Sequence, residues 1–309
     1  MSLYRFVGVS AYDQSGYSVA SAGDVDGDGK DDLIIGARGA GESYLITAAD
    51  LAAADAADGL SDGVVDLGSI ASQPGSYKFN GANAGDSSGY SVASAGDVDG
   101  DGKSDLIIGA FQADGGGADS GESYLITAAD LAAADAADGV SDGVVDLGSI
   151  ASQPGSYKFN GANAGDFSGR SVASAGDVDG DGKDDLIIGA YQADGGGYGS
   201  GESYLITAAD LAAADAADGL SDGVVDLGSI ASQPGSYKFN GANTGDSSGF
   251  SVASAGDVDG DGKSDLIIGA YRADGGGSDS GESYLITAAD LAAADAADGL
   301  SDGVVDLGS

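Results

Sequence analysis

Short apolar runs alternate along the chain with turn-forming segments rich in Gly, Asp and Ser, and the whole pattern recurs. Residues 89–97 (GYSVASAGD) alternate small polar and apolar side chains, whereas Asp105–Ala110 (DLIIGA) contains an unbroken apolar run. Alternation is typical of a half-buried strand, and a short continuous run is typical of a strand covered on both faces. Residues 122–127 (ESYLIT) and 157–161 (YKFNG) have the same character. Turn signals separate these segments, so each copy of the pattern predicts four short strands.

A segment of different character lies between the third and fourth predicted strands. Residues 127–139 (TAADLAAADAADG) have an interior of Ala and Leu, which favours a helix of about ten residues. We expect Thr127 to act as N-cap, Asp130 to favour the helix dipole in the first turn, and Gly139 to end the helix. A helix this short is marginal in isolation, so it must pack on the sheet.

The pattern has a period of 80 residues, as Phe79, Phe159 and Phe239 show. The first copy is shorter, since it lacks seven residues after Ala37, where RGAGESY replaces FQADGGGADSGESY. We divide the chain into units of about 4–76, 77–156, 157–236 and 237–309, and we treat residues 1–309 as one domain.

Four strands per repeated unit predict an all-β fold, a β-propeller with four blades of four antiparallel strands and a short helix between strands 3 and 4 of each blade. Residues 4–8 (YRFVG) are equivalent to a fourth strand, and the sequence stops where another fourth strand is due. We therefore expect the N-terminal strand to complete the last blade and close the ring, which removes open sheet edges. Half of an eight-bladed dimer and an excerpt of a longer array are the alternatives.

Composition narrows the range of partners and chemistries. The formal net charge of −40 and the pI of about 4.1 argue against nucleic acid and anionic membrane surfaces. The chain has no Cys and no His, which excludes disulfides, Cys/His zinc sites, Ser-His-Asp triads and Cys nucleophiles. It also contains no apolar run long enough to predict a transmembrane helix.

The candidate chemistry lies in an acidic loop, DVDGDGKDD or DVDGDGKSD, that occurs once in each unit. Carboxylates occupy positions 1, 3, 5 and 9, glycines occupy positions 4 and 6, and position 7 can offer its backbone carbonyl. Hard oxygen ligands at this density suit Ca²⁺. The loop is not an EF-hand, because Ile35 and its equivalents stand where that motif has Glu. A plain Asp/Gly turn is the alternative.

Taken in order, FNG at 79–81, GYSVASAGD, DVDGDGKSD, LIIGA at 106–110 and ESYLIT resemble the FG-GAP repeat of integrin α-subunit propellers and their bacterial relatives. The resemblance implies a propeller with about four Ca²⁺ ions, one in each loop between strands 1 and 2, and an extracellular adhesive or ligand-binding role. The ligands that it implies, with each Lys acting through its carbonyl, are Asp24, Asp26, Asp28, Lys30, Asp32, Asp97, Asp99, Asp101, Lys103, Asp105, Asp177, Asp179, Asp181, Lys183, Asp185, Asp257, Asp259, Asp261, Lys263 and Asp265.

Differences between the units point to a second surface. In an up-and-down blade, loops 2–3 and 4–1 emerge on the face opposite the acidic loops, and most of the variable positions lie in or beside them. The aromatic and Arg side chains there, which are the types that dominate recognition surfaces, are Phe167, Arg170, Tyr191, Tyr198, Tyr271 and Arg272. We predict that this face binds a protein or a glycan. Drift in exposed loops is the alternative, and Tyr90 and Phe250 are candidates for the rim of the core between blades.

A second acidic pattern, Asp58, Asp62 and Asp66, recurs after each predicted helix. It suggests either a weaker Ca²⁺ site or simple turn and cap chemistry. The sequence as a whole predicts a calcium-stabilised binding module, extracellular or on the cell surface, that is not an enzyme. A structural spacer in a larger secreted protein is the alternative, and a hydrolase is the least favoured. We expect a monomer, with a dimer that forms an eight-bladed ring as the alternative.

Overall fold

The computed structural model of the chain describes residues 3–308, which fold into short strands and four short helices. The strands are β1 (Arg5–Val7), β2 (Ser15–Gly23), β3 (Asp32–Ala37), β4 (Glu42–Ile46), β5 (Val64–Asp66), β6 (Tyr77–Asn80), β7 (Ser91–Gly96), β8 (Asp105–Ala110), β9 (Glu122–Ile126), β10 (Val144–Asp146), β11 (Tyr157–Asn160), β12 (Ser168–Gly176), β13 (Asp185–Ala190), β14 (Glu202–Ile206), β15 (Val224–Asp226), β16 (Tyr237–Asn240), β17 (Ser248–Gly256), β18 (Asp265–Ala270), β19 (Glu282–Ile286) and β20 (Val304–Asp306). The α-helices are α1 (Leu51–Asp55), α2 (Leu131–Asp135), α3 (Leu211–Asp215) and α4 (Leu291–Asp295). The 3-10 turns are Leu67–Ser72, Ala128–Asp130, Ala136–Asp138, Leu147–Ser152, Ala208–Asp210, Ala216–Asp218, Leu227–Ser232, Ala288–Asp290 and Ala296–Asp298.

Three of the sheets are antiparallel meanders completed by strands from the following unit. Sheet 1 has the order β2-β3-β4-β6-β10, sheet 2 β7-β8-β9-β11-β15, and sheet 3 β12-β13-β14-β16-β20. Sheet 4 consists of β17-β18-β19, and β1 pairs with β5 in a separate two-stranded sheet. The predicted blade of four antiparallel strands is therefore present in sheets 1 to 3.

A parallel fifth strand in these sheets was not predicted. In sheet 1, β10 runs parallel to β6 with Val145 opposite Phe79, and both side chains are fully buried. Gly143, at φ 77°, turns the chain into this strand, and its carbonyl accepts the N–H of Lys78 at 2.9 Å. A strand of three residues is too short to show a period of two, so the pattern of residues gave no sign of it.

The N-terminal strand lies elsewhere than predicted. β1 pairs in parallel with β5, with Phe6 opposite Val65, as β6 pairs with β10. It does not pair with β19 in the part of the chain that the structure describes, so sheet 4 remains three-stranded and no closed ring is seen there. The N-terminal strand does not reach sheet 4 because sheets 1 and 4 do not pack on each other in the described residues. Val19 on sheet 1 and Ile267 on sheet 4 are therefore exposed.

The core lies between neighbouring sheets. Their first strands adjoin one another, β2 beside β7, β7 beside β12 and β12 beside β17. Ile34 and Leu45 of sheet 1 pack against Leu106 and Ile108 of sheet 2, and the same packing recurs at the next two boundaries. Every residue of β8 and of β13 is buried, which confirms the prediction for the DLIIGA segment.

The predicted helix is shorter than expected. Helix α2 has five residues between two 3-10 turns, and none of the helices in residues 3–308 is long and apolar enough to cross a bilayer. Gly139 ends the segment at φ 91°, as predicted. Thr127 occupies the N-cap position at the start of the segment, as predicted, but its side chain makes no capping bond. The carboxylate of Asp130 accepts instead from the Gly155 N–H and the Ser156 hydroxyl, at 2.8 and 2.9 Å.

Candidate metal centre

Each acidic loop connects the first two strands of its sheet at one end of the molecule. In sheet 2 the loop comprises residues 97–104, between β7 and β8. Gly100 and Gly102 have φ values of 81° and 88°, a region that L-side chains rarely adopt. These two glycines let the backbone curl tightly enough for successive Asp side chains to turn inward.

The carboxylates are held in place by backbone N–H groups of their own loop. Asp97 accepts from Gly100 at 2.8 Å through Oδ1 and from Gly102 at 2.9 Å through Oδ2, and Asp99 accepts from Asp101 at 3.0 Å. The same bonds recur in the other three loops. An ionised carboxylate offers about four lone-pair sites, so each of these groups keeps capacity for a cation.

The ninth position anchors the loop to the rest of the sheet. Asp105 is fully buried, and it accepts from the N–H groups of Val98 and Ala128, both at 2.9 Å. Burial raises the pKa of Asp105 to about 7, and it raises the pKa of Asp185 to about 7 in the same way. The pKa of Asp32 is also raised by burial. A cation beside these groups would offset the cost of their burial.

Three carboxylates converge in every loop, with one oxygen from each lying within 4.8 Å of the others. The sets are Asp24, Asp26 and Asp32; Asp97, Asp99 and Asp101; Asp177, Asp179 and Asp185; and Asp257, Asp259 and Asp265. Oxygen atoms that share one Ca²⁺ lie at most about 5 Å apart, given Ca–O distances of about 2.3–2.6 Å. Both the spacing and the donor set therefore suit this ion.

Not every predicted ligand joins its set. Positions 1, 3 and 9 converge in the first, third and fourth loops, whereas positions 1, 3 and 5 converge in the second. In the first loop, Asp28 at position 5 accepts from the Lys30 N–H at 2.9 Å and pairs with the Lys30 ammonium at 2.5 Å. The Lys30 side chain also holds the pKa of Asp28 below its usual value.

Neighbouring loops are joined to each other, a feature that the sequence analysis missed. The residue at position 8 donates its N–H to the carbonyl of position 1 in the preceding loop: Ser104 to Asp24 at 2.9 Å, Asp184 to Asp97 at 3.0 Å, and Ser264 to Asp177 at 2.8 Å. The Lys side chain at position 7 also lies beside the preceding loop, where Lys103 adjoins Gly27. The four loops thus form a continuous row, and backbone bonds of this kind carry no signature in the side chains.

The opposite face carries a ladder of aromatic rings that runs from sheet 1 to sheet 4. Arg170 lies in the middle of it, with its guanidinium carbon 4.3 Å from the ring centre of Tyr90 and 4.2 Å from that of Phe250. Successive ring centres are 4.8 Å apart for Tyr17–Tyr90, 4.4 Å for Tyr90–Phe111, 5.9 Å for Phe111–Phe167 and Phe167–Tyr191, 5.5 Å for Tyr191–Phe250 and 4.3 Å for Phe250–Tyr271.

The ladder brings together four of the six candidates for the ligand-binding face, namely Phe167, Arg170, Tyr191 and Tyr271. Arg272 extends it, with its guanidinium carbon 5.2 Å from the Tyr271 ring centre. Tyr198 stands apart and is 81% exposed. Tyr17 and Phe111 were missed as members, although an aromatic or Arg recurs at the position of Tyr17 in every unit.

A cleft of about 600 Å³ opens on this face beside the shortened loop of the first unit. It is lined by polar groups that include Gln14, Arg38, Glu42 and Asn80. In unit 2 the longer loop covers the equivalent place, since Gly115 lies tightly against Asn160 and Glu122. The seven missing residues therefore leave Glu42 more exposed than Glu122.

The second acidic pattern forms turns. Asp58, Asp62 and Asp66 accept the N–H groups two residues ahead, at Leu60, Val64 and Gly68, over 2.8, 3.1 and 2.9 Å. They belong to none of the converging sets found in residues 3–308. Turn and cap chemistry, one of the two interpretations of this pattern, describes these contacts.

Comparison with known families locates the repeat within these sheets. The profile of the family described as FG-GAP repeat matches residues 15–50, 88–126, 168–206 and 248–286. Each match spans the first three strands of one sheet together with its acidic loop. No curated protein matches the chain.

Proposed function

The chain carries four FG-GAP repeats, and from this we propose that it is a calcium-binding, extracellular module of the propeller type that recognises a ligand and performs no catalysis. The observation that best supports the calcium part is the convergence of three carboxylates in all four loops. The three converging carboxylates of each loop, such as Asp24, Asp26 and Asp32 in the first, would hold the ions. A bound Ca²⁺ supplies positive charge to a chain of net charge −40 and ties together the two strands that flank each loop.

The loop backbone prepares the site before any ion arrives. Because N–H groups of Gly100 and Gly102 hold both oxygens of Asp97, the carboxylate loses little conformational freedom when a cation binds. Mg²⁺ fits less well, since it demands a tight octahedron and gives up its water reluctantly.

Isothermal titration calorimetry on the chelator-treated chain tests this part. We expect about four Ca²⁺ per chain, with much weaker binding of Mg²⁺. A chain that binds no Ca²⁺ at millimolar concentration would contradict the proposal.

For ligand recognition we propose the face opposite the acidic loops, and the cleft at Arg38 and Glu42 is its most suitable part. Hydrogen-bonding groups of both kinds line it: amides at Gln14 and Asn80, a guanidinium and a carboxylate. Such a mixture suits a glycan or a polar protein loop. Glycan arrays and partner pulldowns with Arg38→Ala, compared with Arg272→Ala outside the cleft, test this assignment, as do Phe167→Ala and Arg170→Ala for the ladder.

A structural spacer is the second candidate, and the ladder is the observation that favours it. The ring of Phe167 contacts that of Tyr191, and the Arg170 guanidinium packs on the rings of Tyr191 and of Phe250 in the next sheet. Packing therefore accounts for residue types that would otherwise suggest recognition. If no glycan or protein binds in calcium, or if Arg38→Ala leaves binding unchanged, the cleft assignment fails; a complete lack of binders supports the spacer.

A further inference from the structure

Each of the two outer sheets leaves part of an apolar face uncovered. Every sheet has two faces, which we define on sheet 2. Its leading face carries Val92 and Leu106, its trailing face carries Ile107 and Leu125, and the equivalent faces of the other sheets have the same names. On the leading face of sheet 1, Val19 is 64% and Leu33 37% exposed, whereas Val92 and Leu106 are 4% and 0% exposed. On the trailing face of sheet 4, Ile267 and Leu285 are 39% and 51% exposed, whereas Ile107 and Leu125 are fully buried.

These two faces are the halves of an interface that the chain already forms three times. At each internal boundary, the trailing face of one sheet packs on the leading face of the next: Ile187 and Leu205, for example, join the cluster of Val252, Leu266 and Ile268. The exposed side chains at the two free faces are of the same residue types as the equivalent side chains at the internal boundaries. The trailing face of sheet 4 is therefore complementary to the leading face of sheet 1.

We propose that two copies of this chain bind each other through these faces and form a closed ring of eight sheets. The trailing face of sheet 4 in each copy packs on the leading face of sheet 1 in the other. Each contact joins two different surfaces. Two-fold symmetry forms this contact twice, so both free faces of each copy are covered. Eight lies within the range of about four to eight blades that closed propellers use.

The strands at the two ends support the same arrangement. Within residues 3–308, sheet 4 ends at β19 and lacks the fourth and fifth strands of sheets 1 to 3, while β1 and β5 form a pair of the kind that completes those sheets. In sheet 2, Lys158 of the fourth strand lies opposite Tyr124 of the third. By the same register, Arg5 lies opposite Tyr284 of the partner subunit, and β1 and β5 complete the partner's sheet 4.

Glycines at the free face leave room for this contact. At Gly36, Gly109 and Gly189 a Cβ would collide with the carbonyl oxygen of Gly89, Gly169 or Gly249 on the next sheet, so backbones approach closely at every internal boundary. Gly269 is the equivalent position in sheet 4, where the nearest atom is the carbonyl oxygen of its own sheet's Ser251 at 3.5 Å. The space beside Gly269 fits Gly16 of the partner subunit.

Charge at the acidic loops favours the contact as well. Lys103, Lys183 and Lys263 each lie beside a glycine of the preceding loop, at Gly27, Gly100 and Gly180. The fourth loop has no such neighbour, since nothing in the described chain approaches a Cβ at Gly260 within 4 Å. Lys30, whose side chain is 65% exposed, would occupy this place on the partner subunit.

The first test is the mass of the intact chain in calcium-containing buffer, measured by light scattering after size exclusion and by analytical ultracentrifugation across a range of concentrations. We expect twice the 29.6 kDa of one chain. A single-chain mass at every concentration overturns the proposal, and so does an open series of larger species.

Matched variants locate the contact. Leu285→Asp, at a free face, is expected to give the single-chain mass with an unchanged circular dichroism spectrum. Leu220→Asp, at a loop position that is 57% exposed in the chain, is expected to keep the double mass. Gly269→Ala adds one methyl group that clashes with nothing in its own chain, so it separates loss of assembly from loss of folding. A double mass that survives Leu285→Asp and Gly269→Ala overturns the assignment.

Cross-linking distinguishes two copies from a ring closed within one chain. Because the chain has no Cys, Arg5→Cys and Tyr284→Cys on separate chains can form only a disulfide between chains. We expect the mixture of the two single variants to give a cross-linked dimer. The double variant should do the same, and a disulfide within a chain of single mass would overturn the proposal in favour of a four-bladed ring.

Discussion

The backbone N–H of Ser104 donates to the carbonyl oxygen of Asp24 at 2.9 Å, which joins the eighth position of one acidic loop to the first position of the preceding loop. Asp24 is at the same time a member of the converging set in its own loop. An ion held by one loop would therefore stiffen the attachment point of the next. We expect calcium to stabilise the boundaries between sheets as well as the individual hairpins.

Removal of calcium is expected to lower the melting temperature strongly. A ligand that binds only the folded chain stabilises it by about 1.4 kcal/mol per site at ten times its Kd, and loops in extracellular modules bind Ca²⁺ with Kd values of about 0.1–1 mM. Thermal unfolding followed by circular dichroism, with EGTA and then with added Ca²⁺ or Mg²⁺, measures the effect. An unchanged melting temperature in EGTA, or full recovery with Mg²⁺ alone, would contradict it.

Substitution in one loop should remove one ion. We expect Asp99→Ala to reduce the stoichiometry from about four Ca²⁺ to about three, since one of the three converging carboxylates of that loop is lost. Calorimetry gives the number directly. Asp58→Ala is the control, because Asp58 accepts a turn bond from Leu60 at 2.8 Å and belongs to none of the converging sets of the described residues. A lower stoichiometry in this control would show that the second acidic pattern also binds.

Loss of the Arg170 side chain should destabilise the fold. Its guanidinium lies between the rings of Tyr90 and Phe250, and partly desolvated cation–π pairs contribute about 1–2 kcal/mol. We expect Arg170→Ala to reduce the free energy of unfolding in urea by that amount. Arg272→Ala, an exposed residue with one ring at 5.2 Å, should change it little, and equal effects of the two variants would refute a special role for the ladder.

Asp166 should make the chain less stable as pH rises through about 6. Burial raises the pKa of Asp166 to about 6, although Asn163 donates to its carboxylate at 3.0 and 3.2 Å. Between about pH 4 and 6 the folded state binds the proton more tightly than the unfolded state, so this stabilisation is present at low pH and is lost above the folded pKa. Asp166→Asn, which keeps an acceptor for Asn163, should therefore exceed the parent chain in stability at pH 8 by on the order of 2 kcal/mol, with no gain near pH 4.

Urea unfolding at several pH values measures this difference. Asp218→Asn serves as its control, because Asp218 is exposed and its carboxylate accepts the Leu220 N–H at 2.8 Å in a surface turn. A pH-independent gain for Asp166→Asn would rule out ionisation as the cause.

Local features of the fold could be predicted from the sequence. Some signals determine the conformation of only a few neighbouring residues: the alternation in 89–97, the apolar run of Asp105–Ala110 and the glycines of the acidic loops. The strands and turns that they predict lie where they were expected. The partners of β1 and β10 could not be predicted, because several segments of nearly the same sequence compete for the same position. The pairing is determined by the arrangement of all the sheets, which no single segment encodes.

The candidate site also has parts that the sequence predicts and parts that it does not. Asp97 and Asp99 converge as their spacing indicates, since both belong to one tight loop. The alignment of Arg170 between Tyr90 and Phe250 depends on the distance between separate sheets, which no local pattern encodes. The seven-residue shortening after Ala37 was visible in the sequence, but the cleft that it opens also required the position of Asn80 on a neighbouring strand.

Sheets 1 to 3 are each finished by strands from the following unit, and the segment YKFN that supplies their fourth strand is identical in β6, β11 and β16. On the ribosome the units emerge one after another, so β4 meets β6 before β11 and β16 have been made. A chain diluted from denaturant meets all three copies at once, including those of other molecules. Refolding at high concentration is therefore expected to produce interlocked chains, and slow dilution or vectorial synthesis to avoid them.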